Sequence, residues 1–121
     1  MGDREPLRVV HVDEFERNGG WRLVRRGLDL GSFGMNVVEI AVGDSIPEHT
    51  EVGRDQEEVF IVLAGTPTLV VEGAEHPLRE HSFARVDPEL KRTVVNNGSQ
   101  PALVLIVSAP RTSGYEPMSW A

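Results

Sequence analysis

The sequence predicts an all-β domain, and three observations point to that fold class. Glycine and proline recur at short intervals, 12 and 8 times in 121 residues. Brief stretches rich in valine, isoleucine, leucine and threonine lie between them, which is typical of short strands joined by turns. No comparably long stretch has a convincing apolar repeat of 3.6 residues, the pattern of an amphipathic helix.

The predicted strands follow one another along most of the chain. Each is a short run of β-branched and other apolar residues that ends near a glycine, proline, asparagine or charged residue. In chain order they are residues 7–12, 21–26, 35–42, 57–63, 68–72, 82–86, 92–96 and 102–108. Residues 12–17 could form one helical turn.

Two features indicate how these strands are arranged. Residues 68–78, TLVVEGAEHPL, predict a β-hairpin, because Gly73 can adopt a positive φ in a tight turn. Residues 57–63 and 102–107 are nearly continuous apolar runs, so we expect these strands to be covered on both faces, as in a barrel or two-layer sandwich. The tail, residues 110–121, carries large aromatic side chains and is expected to pack on its own barrel or on a partner subunit.

Composition limits the range of functions. A chain of 121 residues fits one compact domain. Its formal charge of -7 disfavours binding to nucleic acid or to an anionic membrane. The absence of cysteine restricts any metal ligands to histidine and oxygen donors. No signal peptide or membrane span is recognisable, so a cytoplasmic location is expected.

The segment 43–65, GDSIPEHTEVGRDQEEVFIVLAG, resembles the first conserved motif of the cupin family. That motif has a glycine, five residues, His-x-His, a short spacer, a glutamate, six residues and a glycine. Gly43, His49, Glu58 and Gly65 keep these positions, and Glu51 stands where the second histidine is expected. In the family this motif supplies three of four metal-binding side chains.

The segment 81–97, HSFARVDPELKRTVVNN, is similar to the second cupin motif. Pro88 and Asn97 fit the pattern, whereas His81 and Leu90 replace its two glycines. Thr93 aligns with the histidine that provides the fourth metal ligand. A threonine hydroxyl is a weak neutral donor, so Thr93 would at best orient a water or a ligand.

Together these segments make the chain resemble small single-domain bacterial cupins over residues 34–109. The resemblance implies a double-stranded β-helix, also called a jelly roll or cupin barrel. It further implies a single domain over residues 1–121, with a core barrel at about 21–109, an N-terminal strand at 7–12 and a tail at 110–121. Such proteins commonly form homodimers, and the N-terminal strand or the tail is expected to help form the interface.

Strand geometry predicts how the motif side chains meet. His49 and Glu51 are two residues apart and share a face of an extended segment, and Glu58 and Phe60 share a face of the next strand. If the two strands are antiparallel neighbours joined by residues 52–57, the three polar side chains converge. One imidazole and two carboxylates suit a divalent cation, Mn, Fe, Zn, Ni, Mg or Ca, and Glu51 as a ligand favours the harder ions Mn, Mg and Ca. Alternatively, Glu51 is a loop residue.

Without a metal, two carboxylates in one cavity would repel each other. One of them would then hold its proton above the usual pH, and the pair could do general acid and base catalysis. Apolar side chains such as Phe60, Val62 and Val95 are expected to form a wall that suits a small, partly apolar ligand. Arg85 and Arg92 are predicted to lie outside the barrel, with an anion clamp as the alternative.

Three functions remain open from the sequence. The leading one is a cupin barrel that binds a small molecule at a degenerate metal site lined by His49, Glu51, Glu58, Phe60 and Thr93. The second is a metal-dependent isomerase or oxygenase that uses the imidazole and both carboxylates as ligands. The third is a structural or interaction module whose cavity is closed by apolar side chains. Because cupins host many activities, no residue is assigned a catalytic role.

Overall fold

Two antiparallel sheets build the fold of residues 4–121, which the computed structural model describes. A 3-10 turn spans Val12–Glu14 and a short helix, α1, spans Val24–Leu28. No helix in this part of the chain combines the length and hydropathy of a membrane span. The strands are β1 (Arg17–Asn18), β2 (Trp21–Arg22), β3 (Gly34–Ile40), β4 (Gln56–Ala64), β5 (Thr68–Val71), β6 (Ala74–Pro77), β7 (Phe83–Val86), β8 (Arg92–Val95) and β9 (Ala102–Pro110).

The sheets face each other across one core. The six-stranded sheet has the order β1-β2-β3-β9-β4-β7, and the three-stranded sheet has the order β6-β5-β8. An additional segment extends the smaller sheet, since Ser45 pairs with Val95 and His49 pairs with Arg92. The predicted all-β fold class is therefore confirmed, with the two-walled form of a jelly roll.

The core lies between the sheets and takes alternate residues from each strand. On β4, Phe60 and Val62 are fully buried and Glu58 is buried to 7% exposure, whereas Glu57 is exposed, so the predicted shared face is confirmed. The buried cluster comprises Val38, Ile40, Ile46, Phe60, Leu69, Val86, Val94, Ala102, Val104 and Ile106. The opposite faces of β4 and β9 are mostly half-buried, so these strands are fully covered on one face only.

The predicted N-terminal strand at residues 7–12 is wrong. Leu7 and Val9 are 73% and 84% exposed, and no strand forms in this segment. The segment lies against the end of α1 instead, where Arg8 Nη1 donates to the carbonyl of Gly27 at 3.1 Å. The hydrogen bond of this segment is therefore with the helix end and not with a sheet edge.

The predicted strand at residues 21–26 is correct only for its first two residues. After β2 the backbone turns into α1, because the side chain of Asn36 accepts a hydrogen bond from the Val24 amide at 3.2 Å. Asp29 then ends the helix in the left-handed conformation, with φ of 55°.

The predicted hairpin and the predicted packing of the tail have different outcomes. The hairpin at residues 68–78 is confirmed, and its turn places Glu72 and Gly73 at φ of 50° and 80°. The large aromatic side chains of the tail do not pack on its own barrel, since Tyr115 and Trp120 are 77% and 81% exposed. Its packing on a partner subunit stays a prediction.

Replacing Gly65 with alanine should lower the free energy of unfolding by about 2–4 kcal/mol, the sum of left-handed strain and overpacking. Gly65 has φ of 85°, and an added Cβ would lie 2.8 Å from the Cα of Ala102 and from the carbonyl of Pro101. Gly43 provides a matched control, because its φ is 87° but nothing lies within 4 Å of an added Cβ. Urea unfolding should show a much smaller loss for G43A, and equal losses in the two variants would refute the packing argument.

Candidate functional site

A cavity of about 500 Å³ opens between the two sheets. Its wall includes apolar side chains from the core and polar side chains from the segment before β4. The lining residues are Trp21, Met35, Asn36, Ile46, Pro47, His49, Glu51, Arg54, Gln56, Glu58, Phe60, Ile106 and Ser108. Of the residues predicted to line the cavity, His49, Glu51, Glu58 and Phe60 are in its wall, whereas Val62, Thr93 and Val95 are not.

His49, Glu51 and Glu58 converge in this cavity. The Nε2 atom of His49 lies 2.8 Å from Glu51 Oε2 and 3.9 Å from Glu58 Oε1. One possible ligand atom from each of the three side chains lies within 4.8 Å of those of the other two. Glu51 is therefore part of the cluster and not a remote loop residue.

The convergence arises differently from the prediction. His49 and Glu58 do not lie on neighbouring antiparallel strands, because His49 pairs with Arg92 on the side of the smaller sheet. Glu58 lies on β4 of the larger sheet, opposite Val86 and Ser108. The side chains therefore meet across the barrel, and the chain between them crosses from one sheet to the other.

A backbone hydrogen bond determines the tautomer of His49. Its Nδ1 lies 3.0 Å from the carbonyl oxygen of Pro47, which can only accept, so Nδ1 carries the proton. In a neutral imidazole Nε2 then presents a lone pair, and it does so toward the carboxylate of Glu51. Two acceptors at that distance need a proton or a cation between them. A histidine whose other nitrogen is held by a carbonyl is also the usual arrangement of a metal-ligating imidazole.

Glu58 is the most buried member of the cluster. The residue is 7% exposed, and its Oε1 atom has no hydrogen-bond partner within residues 4–121. Burial raises the pKa of Glu58, and the neighbouring charge of Glu51 raises it further, against the opposing effects of Arg92 and His49. This agrees with the prediction that one of two adjacent carboxyls holds its proton above the usual pH.

Arg92 is the site residue that sequence analysis placed incorrectly. It was predicted to be external, but it is fully buried, and its Nε lies 3.6 Å from Glu58 Oε1. Its terminal nitrogens donate to the carbonyls of Leu90, Val86 and Asp87 at 3.0, 3.3 and 3.1 Å. A fixed positive charge therefore lies directly behind the carboxylate cluster.

Thr93 is not brought into the site. Its hydroxyl donates to the carbonyl of Ile46 at 2.6 Å, and it is absent from the cavity wall. On β8 the buried positions are Arg92 and Val94, so Thr93 faces the other way. The prediction aligned the second motif one residue too far along the chain, so that Thr93 took the place of Arg92.

The asparagine pair at positions 96 and 97 explains that choice. Asn96 is buried, and its amide donates to the carbonyls of Ile40 and Gln100, both at 2.8 Å. Asn97 is exposed and accepts from Thr68 at 2.9 Å. If the structural asparagine of the second motif is Asn96, the position four residues earlier is Arg92. Asn96, as a second candidate asparagine, was the sequence signal for this register, since residues 92–95 show no alternation of apolar and polar side chains.

A short loop covers one side of the cavity mouth. We call residues 52–55 the mouth loop; it contains Arg54, which lines the cavity, and Asp55, whose φ is 50°. Arg111 anchors this loop, because its Nη2 lies 2.6 Å from Asp55 Oδ1 and 2.7 Å from Glu89 Oε2. Its backbone amide also donates to the carbonyl of Asp55 at 3.0 Å.

Comparison with known proteins places the site in a family context. The family model described as "Cupin domain" matches residues 36–108, more than half of the chain. No curated protein matches the sequence.

Several solved structures share the fold. A cupin protein from Bacteroides fragilis has a TM-score of 0.78 at 17% identity, covering 97% of this chain and 94% of its own. A sugar phosphate isomerase of the cupin superfamily from Silicibacter pomeroyi has a TM-score of 0.73 at 22% identity, covering 84% and 75%. A predicted oxalate decarboxylase from Thermotoga maritima has a TM-score of 0.70 at 17% identity, covering 85% and 99%. At these identities the likeness concerns the fold.

Proposed function

Because the chain belongs to the cupin domain family, we propose that it binds a small molecule in the barrel cavity beside a divalent cation held by His49, Glu51 and Glu58. The observation that carries this proposal is that the side chains of His49, Glu51 and Glu58 converge on one point in the cavity. His49 Nε2 lies 2.8 Å from Glu51 Oε2 and 3.9 Å from Glu58 Oε1, and Glu58 Oε1 makes an ion pair with Arg92 but no hydrogen bond. Two carboxylates beside one imidazole gather negative charge in a partly buried place, so their convergence supports a cation at that point.

The donor set also indicates the kind of cation. Two carboxylates and one imidazole suit hard or borderline ions, so Mn²⁺, Mg²⁺ and Ca²⁺ are favoured over softer metals. When bound, such an ion would supply a Lewis acid that polarises an oxygen of the small molecule. The residues of the chain hold the donors in place: Pro47 orients His49, and Arg92 offsets part of the negative charge of Glu58.

A metal-dependent enzyme of the isomerase or oxygenase type is the second candidate. It is supported by the three-donor arrangement, which leaves coordination positions free on the side of an open cavity. The isomerase and the predicted decarboxylase with the same fold give this candidate a chemical precedent. A structural module with a closed cavity is less well supported, because the cavity is open and much of its wall is polar.

Replacing His49 with alanine should abolish stoichiometric metal binding. Second-shell substitutions already cost 10–100-fold in affinity, so loss of a direct ligand is expected to cost at least about 100-fold. The measurement is calorimetric titration with Mn²⁺ together with elemental analysis of protein purified without a histidine tag.

His76 offers the matched control for that experiment. It is an exposed histidine on β6 outside the metal cluster, so H76A should bind about as much Mn²⁺ as the wild type. Wild-type protein that binds no ion, or H49A protein that binds as well as the wild type, would contradict the proposal.

A further inference from the structure

We propose that Arg54 determines the ligand class of the cavity and selects small molecules that carry an anionic group, either a carboxylate or a phosphate. This inference rests on the proposed function, because it names the ligand of the same cavity. Arg54 is the only arginine or lysine in the cavity wall of residues 4–121. Arg54 belongs to the mouth loop, and it is both exposed and part of the cavity wall, so it lies where the cavity opens to solvent.

The mouth loop holds Arg54 on a defined backbone. The amide of Arg54 donates to the carbonyl of Glu51, and the amide of Asp55 donates to the carbonyl of Val52, both at 3.3 Å. Arg111 adds the side-chain anchor at Asp55 that was described above. An anion bound by Arg54 would therefore not have to order a free loop, which lowers the entropic cost of binding.

The same anchor leaves Arg54 free for a ligand. Arg111 already pairs with Asp55 and with Glu89, the acidic side chains beside the loop. Within the described chain no carboxylate lies within ion-pair distance of the Arg54 guanidinium, whereas the buried Arg92 is paired with Glu58. An unpaired guanidinium in a cavity wall can bind a carboxylate or phosphate through two parallel hydrogen bonds.

Charge within the cavity favours an anion more strongly when the cation is present. Glu51 and Glu58 would repel an anion in the metal-free protein, and a divalent ion neutralises them. With the ion bound, Arg54 leaves an excess of positive charge at the mouth. Trp21 and Met35 offer an apolar surface for the remainder of the ligand. Anion binding should therefore be tighter in the metal-loaded protein.

The test uses Mn²⁺-loaded protein and three compounds of similar shape: benzoate, phenyl phosphate and the neutral benzamide. Calorimetric titration of the wild type should show binding of at least one anion and weaker binding of benzamide. In R54A the affinity for that anion should fall at least about tenfold, the usual effect of losing a charge-assisted hydrogen-bond pair. The tighter anion identifies carboxylate or phosphate as the natural group.

Arg79 is the matched control, since it is an exposed arginine outside the cavity and without an ion-pair partner among residues 4–121. R79A should bind the anions as the wild type does. Equal anion affinity in R54A and the wild type would overturn the inference, as would benzamide binding as tightly as both anions. Absence of binding by either anion would also overturn it.

The design separates this inference from the proposed metal site. Mn²⁺ affinity is measured in every variant, and it should not fall in R54A because that change removes a nearby cation. If the wild type and R54A bind Mn²⁺ normally and have the same affinity for the anions, the inference about Arg54 is rejected and the metal site is retained. Failure of the wild type to bind Mn²⁺ rejects the metal site, and titration of the metal-free protein with the same anions then decides the role of Arg54.

Discussion

Replacing Arg92 with alanine is expected to lower the free energy of unfolding by about 3–5 kcal/mol, because three backbone carbonyls lose their hydrogen-bond donor. Arg92 is fully buried, and three backbone carbonyls and the Glu58 carboxylate face its guanidinium. Alanine would leave these acceptors without partners and leave Glu58 without its nearest cation. Urea unfolding followed by tryptophan fluorescence measures the loss.

Arg85 provides the control for this substitution. It lies on β7 with a side chain that is 66% exposed, and it pairs with Asp87 at 3.4 Å. Exposed ion pairs contribute about 0–1 kcal/mol, so R85A should change stability little. If R92A does not fold, the double variant R92A/E58Q should recover part of the loss, because it removes the unpaired charge. Wild-type stability in R92A would show that the buried guanidinium is not needed.

Replacing Glu58 with glutamine is expected to weaken Mn²⁺ binding at least about 100-fold while stabilising the metal-free protein at neutral pH. The amide keeps the shape of the side chain but cannot supply a negative donor. Stabilisation is expected because the pKa of Glu58 is raised in the folded protein, mainly by burial. The folded state thus favours the protonated carboxyl, and a neutral isostere avoids the cost of ionisation.

The pH dependence gives the sign of this effect. The folded pKa exceeds the unfolded one, so between them the folded state binds more protons and wild-type stability falls as pH rises. E58Q and wild type should therefore be closest below the ordinary value of 4.5 and should separate as pH rises above it. E57Q, a change at the exposed neighbour on β4, should follow the wild type. An E58Q protein less stable than wild type at pH 7 would show that attraction by Arg92 outweighs burial.

Local patterns in the sequence were sufficient for most of the fold. Strands β3 to β5 and β7 to β9 follow from short apolar runs and turn residues, whereas β6 and the positive φ of Gly73 follow from the two-residue hairpin turn. Segments near the N-terminus failed for a physical reason. Residues 7–12 have strand composition, but a strand needs an edge to pair with, and this segment lies exposed beside α1 without a strand partner.

The direction of a site side chain could be predicted where it depends only on the alternation of side chains along one strand. Glu58 and Phe60 share a face because they are two residues apart on β4, and that geometry is local. The position of Arg92 was not predictable in the same way, because two adjacent asparagines allowed two registers. Arginine is also rarely fully buried in proteins, so its residue type predicts a surface position. In this fold the backbone carbonyls around Arg92 and the Glu58 carboxyl compensate its charge, and both depend on the tertiary structure.

The crossing of the chain between sheets has a mechanical consequence. His49 and Glu51 are attached to one sheet of the barrel and Glu58 to the other, so an ion bound by all three would be a reversible cross-link between the sheets. With the ion bound, separating the two sheets would require breaking coordinate bonds as well as exposing the core. Occupancy of the site would then raise the free energy of unfolding, so the stability of the barrel would depend on the supply of metal.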